Sequence, residues 1–308
     1  MEPLINPIDR ALLKSELTAE RFLRHTNAGN NTIFMVNAHN APHTMQEIGR
    51  LREYTFREAG GGTGKSVDID EFDTAEIPFQ QLIVWNNDAE EIVSAYRFIL
   101  GKEVLLDENG YPNTPTSELF NYSQEFIQTR WTDCIELGRS FVQPKYQAGN
   151  DMRIGMYALD NIWDGLGALT ICYPEARYFM GKMTLYNHYN REARNMILAF
   201  MSKHFQGDYS MINPKSNKEN DNIPQAICDV FNDDNNSIND NFKILNKRIR
   251  ELNESIPPLI KTYISLSPKI EYYGITPNPH FGPVEEICIL VNISDIYESK
   301  RERHINTI

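Results

Sequence analysis

The chain has 308 residues, 41% hydrophobic and 23% charged, with 42 acidic against 30 basic side chains and a formal net charge of −12. That composition excludes wholesale disorder and any fibrous repeat. The acidity argues against a nucleic-acid protein, which needs a net basic footprint, and confines any surface for an acidic partner to a local cluster of cations.

In chain order, TIFMVNA (32–38) is a β-branched run that reads as a strand. Met45, Ile48, Leu51, Tyr54 and Phe56 recur near helical spacing, which predicts a helix over 44–59 that stops at Gly60-Gly61-Gly62. Residues 80–100 are two apolar runs around Asn86-Asn87-Asp88, a β-hairpin signal. Residues 103–125 read as loop, CIELGRSFV (134–142) as a strand, 160–173 as a helix, 176–185 as a strand and 190–205 as a helix. From 206 to 256 the chain is crowded with Asn, Asp and Lys around one helical stretch, 242–252, and is expected to be an exposed, partly mobile helical insertion. ICILVNI (287–293) closes the chain as a strand. The order predicts one α/β domain over 1–308, a mixed central sheet flanked by helices.

Cys134, Cys172, Cys228 and Cys288 form no C-x-x-C pair and read as thiols in a reducing compartment. Neither a basic leader nor an 18-residue apolar run is seen, so a cytoplasmic location is expected. His39 and His43 stand four apart around Pro42 in what reads as a loop, with no third ligand at metal-site spacing. Ala59-Gly-Gly-Gly-Thr-Gly-Lys65-Ser66 fits a relaxed phosphate-loop pattern. Its context is wrong: a helix precedes it, and the acidic run Val67–Asp73 follows where a phosphate loop would open a helix. It is expected to be a flexible connector.

The informative charges sit within apolar runs. Glu136 and Arg139 lie inside a strand, where ionised groups are costly unless paired. Three apart, they would face opposite sides, but a β-bulge at Gly138 would bring them to one face and free backbone groups for binding. Arg52, Arg57 and Arg97 also lie on elements read as buried or half-buried, while Asp68, Asp70 and Asp73 crowd one segment. This is either a structural ion-pair network or a site in which carboxylates hold an ammonium and arginines fix the carboxylates.

Leu51-Arg52-x-x-x-Phe56-Arg57, Asp68-x-Asp70-x-Phe72-Asp73, Tyr96-Arg97 and Glu136-Leu137-x-Arg139-Ser140-x-Val142-x-Pro144, in this order, resemble the N-acyltransferases of ornithine-lipid and glycine-lipid synthesis. These are sometimes labelled hemolysins, and are related to the acyl-homoserine-lactone (autoinducer) synthases within the GNAT-like acyltransferase fold. Pro257–Tyr263 and Ile289-Leu290-Val291 extend the resemblance toward the lipid-forming branch. In place of the tryptophan that autoinducer synthases carry after the first aromatic motif, this chain has its glycine-rich segment. A clean GNAT pyrophosphate loop is also missing: Gln147-Ala148-Gly149 and Arg153-Ile154-Gly155 are off pattern.

The resemblance implies transfer of a fatty acyl group, often 3-hydroxylated, to the α-amine of an amino acid such as glycine or ornithine. The donor is a thioester on the phosphopantetheine of acyl carrier protein or coenzyme A, with no tightly bound cofactor and no metal. Residue by residue it marks Glu136, Arg139, Asp70 and Asp73 as catalytic, and Arg52, Phe56, Arg97, Ser140, Phe141 and Val142 as substrate-binding. Glu136 is the candidate base for the attacking amine; Asp70 and Asp73 pair with arginines and hold the acceptor's ammonium. Backbone N–H groups near the bulge would meet the oxyanion. Lys145 and Arg153 are the first candidates to receive the acidic carrier protein, with Lys247, Arg248 and Arg250 second. Trp163, Leu166, Phe179 and Met180 either line an acyl slot or are ordinary core. Because the product is a lipid, the reading adds peripheral contact with the inner face of the membrane. The competing readings are a catalytically silent acyl-carrier or lipid-binding protein of the same fold and, third, a phosphate-loop nucleotide binder.

Overall fold

The computed structural model describes residues 1–147, 152–216 and 223–305. Its elements run α1 (Arg10–Glu16), β1 (Phe22–His25), β2 (Asn31–Val36), α2 (Pro42–Glu58), α3 (Glu71–Thr74), β3 (Gln80–Asn86), β4 (Glu91–Leu100), β5 (Phe120–Tyr122), α4 (Gln124–Thr129), β6 (Cys134–Val142) and α5 (Met152–Cys172). The chain continues with β7 (Tyr178–Tyr186), α6 (Arg191–Phe205), β8 (Ile212–Pro214), α7 (Gln225–Cys228), α8 (Ile238–Glu251), α9 (Pro258–Ile264), β9 (Ile270–Pro277), β10 (Val284–Asn292) and α10 (Glu298–His304). They form two compact units, one of residues 1–104, 135–176 and 298–308, the other of 105–134 and 177–297.

The first unit is an antiparallel sheet in the order β1, β2, β3, β4, β6. Residues 81–85 of β3 and 92–100 of β4 are buried without alternation. A strand reads that way when helices cover both faces of its sheet. Here α2 and α5 do so. Arg52 of α2 donates from Nη2 to Gln81, while on the other face Gly165 of α5 sits where a Cβ would come within 2.4 Å of Leu82. Helix α10 is held on α5 by a similar approach at Gly167, and by His304, whose Nδ1 lies 2.8 Å from Asp164 Oδ1.

In the second unit β10 lies between β7 and β9, antiparallel to both. Helix α6 sends Arg194 to Glu285 of β10, and β5 pairs with β8. The polar stretch 206–256 contributes α8, which packs on α6 through ring contact of Phe242 with Phe200 and buries Leu245 and Ile249.

The sequence reading places the main strands and helices within a few residues, passes over α1, β1 and β8, and differs in four further respects. Helix α5 begins at Met152, not 160, and the loop read over 103–125 contains β5 and the start of α4. Pro42 opens α2, as proline does readily in a first helical turn, so His43 is helical; its Nδ1 lies 2.8 Å from Glu16 Oε1. The glycine-rich connector is pinned, not loose, as described below.

Candidate active site

The site starts from strand register. Gln81 of β3 stands opposite Arg97 of β4, and Arg97 opposite Gly138 of β6. Cross-strand partners share a face and so do residues two apart, which places Gln81, Arg97, Gly138 and Glu136 under α2. No side chain at Gly138 separates it from Arg97, whose Cγ and Nε would lie 3.6–3.7 Å from a Cβ there.

The expected bulge is present, one position further along. Between the pairs Arg97–Gly138 and Ala95–Phe141, β6 has two residues, Arg139 and Ser140, against the single Tyr96 of β4. Arg139, not Gly138, takes the left-handed backbone, with φ of 51°. That conformation costs a non-glycine residue roughly 1–3 kcal/mol unless its surroundings fix it. Here the guanidinium provides the fixing: Nε lies 2.8 Å from Asp68 Oδ2 and Nη2 3.8 Å from Asp70 Oδ2. Because Arg97 also meets Asp70, Arg139 is turned to the same side of the sheet as Arg97 and Glu136.

The acidic run 67–73 forms the other half. Asp70 and Asp73 cap each other's backbone: the Asp73 N–H donates to Asp70 Oδ1 at 3.1 Å, and the Asp70 N–H to Asp73 Oδ2 at 3.2 Å. Asp73 is fully buried; its Oδ2 also accepts from Arg52 Nη1 at 2.9 Å and lies 3.0 Å from Arg97 Nη1, while Oδ1 accepts from Gln81 Nε2 at 3.0 Å. Arg97 Nη1 donates to Asp70 Oδ1 at 2.6 Å, and its guanidinium lies 4.9 Å from the centre of the Phe79 ring. Burial pushes the Asp73 carboxyl upward, but Arg52 and Arg97 reverse that and hold it well below the usual carboxylate range. For Arg97, burial works against the charge and is outweighed by Asp73 and Asp70, so its pKa is raised.

The structure therefore brings Arg52, Asp70, Asp73, Arg97 and Arg139 into one network, with Glu136, 1% exposed, on the same face. Phe56 of α2 and Phe141 of β6 meet edge to face, with ring centres 6.4 Å apart. Ser140 and Val142 are half-buried at and after the bulge. Sequence reading missed Gln81 and Phe79. Neither has a local signal; each becomes recognisable only once register sets it against Arg97.

The glycine-rich segment binds an anion from its own chain. Glu53 of α2 accepts from the Thr63 N–H (2.9 Å), the Thr63 hydroxyl (2.8 Å) and the Gly64 N–H (2.7 Å). Gly62, at φ 95°, lets the loop close on that carboxylate. Burial opposes ionisation of Glu53, yet Arg57 and these donors lower its pKa. Glu2 joins from the N-terminal segment, accepting from the Ser66 N–H at 2.8 Å. The amides a phosphate loop would aim at phosphate are thus already used, and no helix opens behind Ser66.

Of the cations considered for an acidic partner, Lys145 is tied to Glu91, and the Arg153 side chain lies outside the described residues, as do Ala148 and Gly149. Trp163, Leu166, Phe179 and Met180 are all buried.

Comparison with known proteins now bears on this geometry. Residues 51–155, the span from Arg52 through the bulge, match the family described as Acetyltransferase (GNAT) domain. Over 307 residues the chain is 48% identical to a glycine N(alpha)-acyltransferase of Bacteroides thetaiotaomicron, covering all of this chain and 90% of that one. It is 46% identical to the enzyme of the same name from Phocaeicola vulgatus, covering all of this chain and 94% of that one. The chain belongs to this N-acyltransferase family. Its fold is α/β and GNAT-like. Among solved structures, the AHL synthase LasI aligns with a TM-score of 0.33 at 11% identity, over 51% of this chain and 73% of that one.

In this acyltransferase Arg52, Asp73 and Arg97 form the buried part of the network, beside the irregular strand edge that the bulge makes. Both Asp73 oxygens are taken by Arg52, Arg97 and Gln81. The outer members are the reachable ones, with Arg139 and Asp70 side chains 18% and 19% exposed. Among the described residues, no helix is long and apolar enough to cross a membrane.

Proposed function

We propose that this acyltransferase moves a fatty acyl group, 3-hydroxylated in its preferred donor, from the phosphopantetheine thioester of acyl carrier protein to the α-amine of glycine, and that the N-acyl amino acid feeds aminolipid synthesis. The observation that carries the reading is identity of nearly one residue in two, along the whole chain, to two relatives named for glycine N(alpha)-acylation. The reading takes residues 1–308 as one catalytic domain with 206–256 as its insertion, and places the enzyme in the cytoplasm with peripheral contact at the membrane its product enters.

The chemistry is aminolysis of a thioester. The bound ammonium first gives one proton to solvent; the neutral amine then attacks the acyl carbonyl, the C–N bond forms, the nitrogen of the tetrahedral intermediate gives up a second proton, and the C–S bond breaks to release the thiolate. Glu136 takes the amine proton, directly or through one water, and the released proton reaches the departing thiolate. Its place on a buried face beside a strand irregularity supports this role. The backbone around Arg139–Ser140, out of register with β4, offers N–H groups to the oxyanion and a main-chain edge to the extended pantetheine arm. Arg139 and Asp70, at the exposed rim, orient the acceptor, with Asp70 nearest its ammonium. Asp73, Arg52 and Arg97 hold that rim in place. Phe56, Ser140, Phe141 and Val142 contact the donor.

The test is product analysis. Purified protein is incubated with a 3-hydroxyacyl carrier protein and, separately, glycine, ornithine and the other amino acids, and the products are read by mass spectrometry. N-acylglycine that falls by on the order of 10²- to 10⁴-fold with Glu136→Gln is the expected result. An N-acylornithine, or a Glu136→Gln variant of undiminished rate, would overturn the acceptor and the base respectively.

A further inference from the structure

Helix α8 is held on α6 by apolar contacts, Phe242 on Phe200 and the buried Leu245 and Ile249, and by one polar contact that neither the network nor the family assignment uses. Near the start of α8, Asn241 is fully buried, and its Nδ2 lies 3.0 Å from Nε2 of His204, in the last turn of α6. Two other groups fix the direction of that amide. Its Oδ1 accepts from Asn236 Nδ2 at 3.3 Å, and its Nδ2 also donates to the Phe231 carbonyl at 3.4 Å. An amide nitrogen only donates, so Nε2 of His204 must accept, and the imidazole is neutral with its proton on Nδ1.

Protonation would set a second N–H against Asn241 Nδ2. Turning the amide over does not help: Oδ1 would then face the Phe231 carbonyl, and Nδ2 would face Asn236 Nδ2. Unmatched donors and acceptors of this kind are costly where water is excluded. Among the described residues, the carboxylates of the elements around His204 are engaged elsewhere. Asp234 holds Lys203 at 3.1 Å, and Asp240 of α8 accepts from Ser237 and Lys243. Between α7 and α8, Asp229 accepts from Gln225 and Asn232, and Asp233 from Asn235; on β9, Glu271 meets Arg130. Burial and the neighbouring Lys203 both hold the His204 pKa below the ordinary imidazole value. The ring is half-buried, its centre 4.8 Å from that of Phe200, so once charged it has solvent on its outer side to turn to. We infer that His204 is an acid-sensitive latch, whose protonation at Nε2 releases the N-terminal half of α8 from α6. Because the docked ring is the harder one to protonate, docking is complete above the ordinary imidazole value of about 6.5 and weakens as pH falls below it.

The experiment is hydrogen exchange of the full chain, read amide by amide by NMR at about pH 7.5 and about pH 5.5 and corrected for the intrinsic pH dependence of exchange. Protection over residues 238–245 of α8 should fall by about fivefold at the lower pH, while the amides of β7 and β10 keep theirs. His204→Gln leaves an acceptor that does not titrate, so the acid loss should vanish. Asn241→Asp puts an acceptor where the amide nitrogen stands, which favours the charged ring and should remove or reverse the loss. An acid loss in His204→Gln as large as in wild type overturns the latch. So does protection that is unchanged in wild type, or that falls equally in β7 and β10. Where a variant does not fold, wild type decides alone: at about pH 7.5 the nitrogen chemical shift of His204 Nε2 must be that of an unprotonated ring nitrogen, and it must titrate in step with α8 exchange. A protonated Nε2 at that pH, or a titration that leaves α8 exchange untouched, overturns the inference.

Discussion

In the second unit, Arg194 meets Glu285 through two nitrogens, each at 2.5 Å, and its remaining Nη1 donates to Asn195. That is a closed pair, both members buried and both satisfied within one helix and one strand. In the first unit, Arg52, Arg97 and Arg139 are distributed over Asp68, Asp70 and Asp73, with each outer group sharing its partner. Its inner half is buried, with both Asp73 oxygens occupied, and its outer half reaches solvent at the edge of a bulged strand. A closed pair has two members to satisfy and nothing left to offer. A lattice of this kind keeps its inner charges fixed by one another and so can hold outer ones in a definite place at a solvent edge, which is what a site requires.

The sharpest way to break the comparison is at the centre of the lattice. Asp73→Asn should cost about 3–5 kcal/mol in urea unfolding, because it leaves two buried guanidinium groups short of charge. The pH dependence has a definite sign. The folded carboxyl titrates below its unfolded value, so its stabilisation is present above roughly pH 4 and is lost as pH falls through the depressed folded value. Wild type should therefore lose stability on acidification through a step that Asp73→Asn lacks; parallel acid limbs would contradict the assignment.

The pair and the lattice should differ next in rescue. Arg194→Met alone should cost a similar 3–5 kcal/mol, but adding Glu285→Leu should return stability to within about 1 kcal/mol of wild type or above it. Arg52→Met with Asp73→Leu should show no such recovery, because Arg97 and Gln81 would both lose the Asp73 carboxylate. Equal rescue in both units would mean that the lattice is only two adjacent pairs.

A smaller effect separates side chain from backbone at the bulge. Arg139→Gly keeps the left-handed backbone and deletes the guanidinium. Unfolding free energy should move by no more than about 1 kcal/mol, since relief of strain offsets the lost ion pair, while kcat/KM falls about tenfold. Unchanged kinetics would assign the bulge a purely main-chain role. The smallest expected effect is that of Lys65→Ala, an exposed residue of the glycine-rich loop. It should shift stability by less than about 0.5 kcal/mol and leave turnover as it is, where a phosphate loop would lose its activity.

Much of the fold was legible because long periodic runs declare themselves. The β3–β4 hairpin has an asparagine turn between apolar runs, and α2 has helical spacing and a glycine stop. Helix α5 was cut short because Gly155, a weak helix former, interrupts its opening turns, and β5 and β8, three residues each, are too short for any period to register. The N-terminal α1 and β1 were passed over for the same reason. Legibility of the site was uneven in an instructive way. The carboxylates of 68–73 and the arginines stood out because charge in an apolar context is conspicuous, and the need for a bulge followed from the spacing of Glu136 and Arg139. Glycine drew the irregularity to position 138, since glycine is the residue that ordinarily permits it. The structure puts it at Arg139 because the ion pair with Asp68 holds that arginine on the network's side of the sheet.

By itself the sequence determined the element types, the acidic balance, the charged residues that must be paired and the order of motifs that tie this chain to its N-acyltransferase relatives. All of these depend on local composition and spacing. Tertiary structure alone decided who pairs with whom: that Asp73 serves Arg52, Arg97 and Gln81 at once, that Glu53 fills the glycine-rich loop, and that Lys145 is occupied by Glu91. The reason is physical. A carboxylate's partner is set by strand register and helix packing across tens of residues, and the net interaction of each pair depends on burial that no single segment of chain carries.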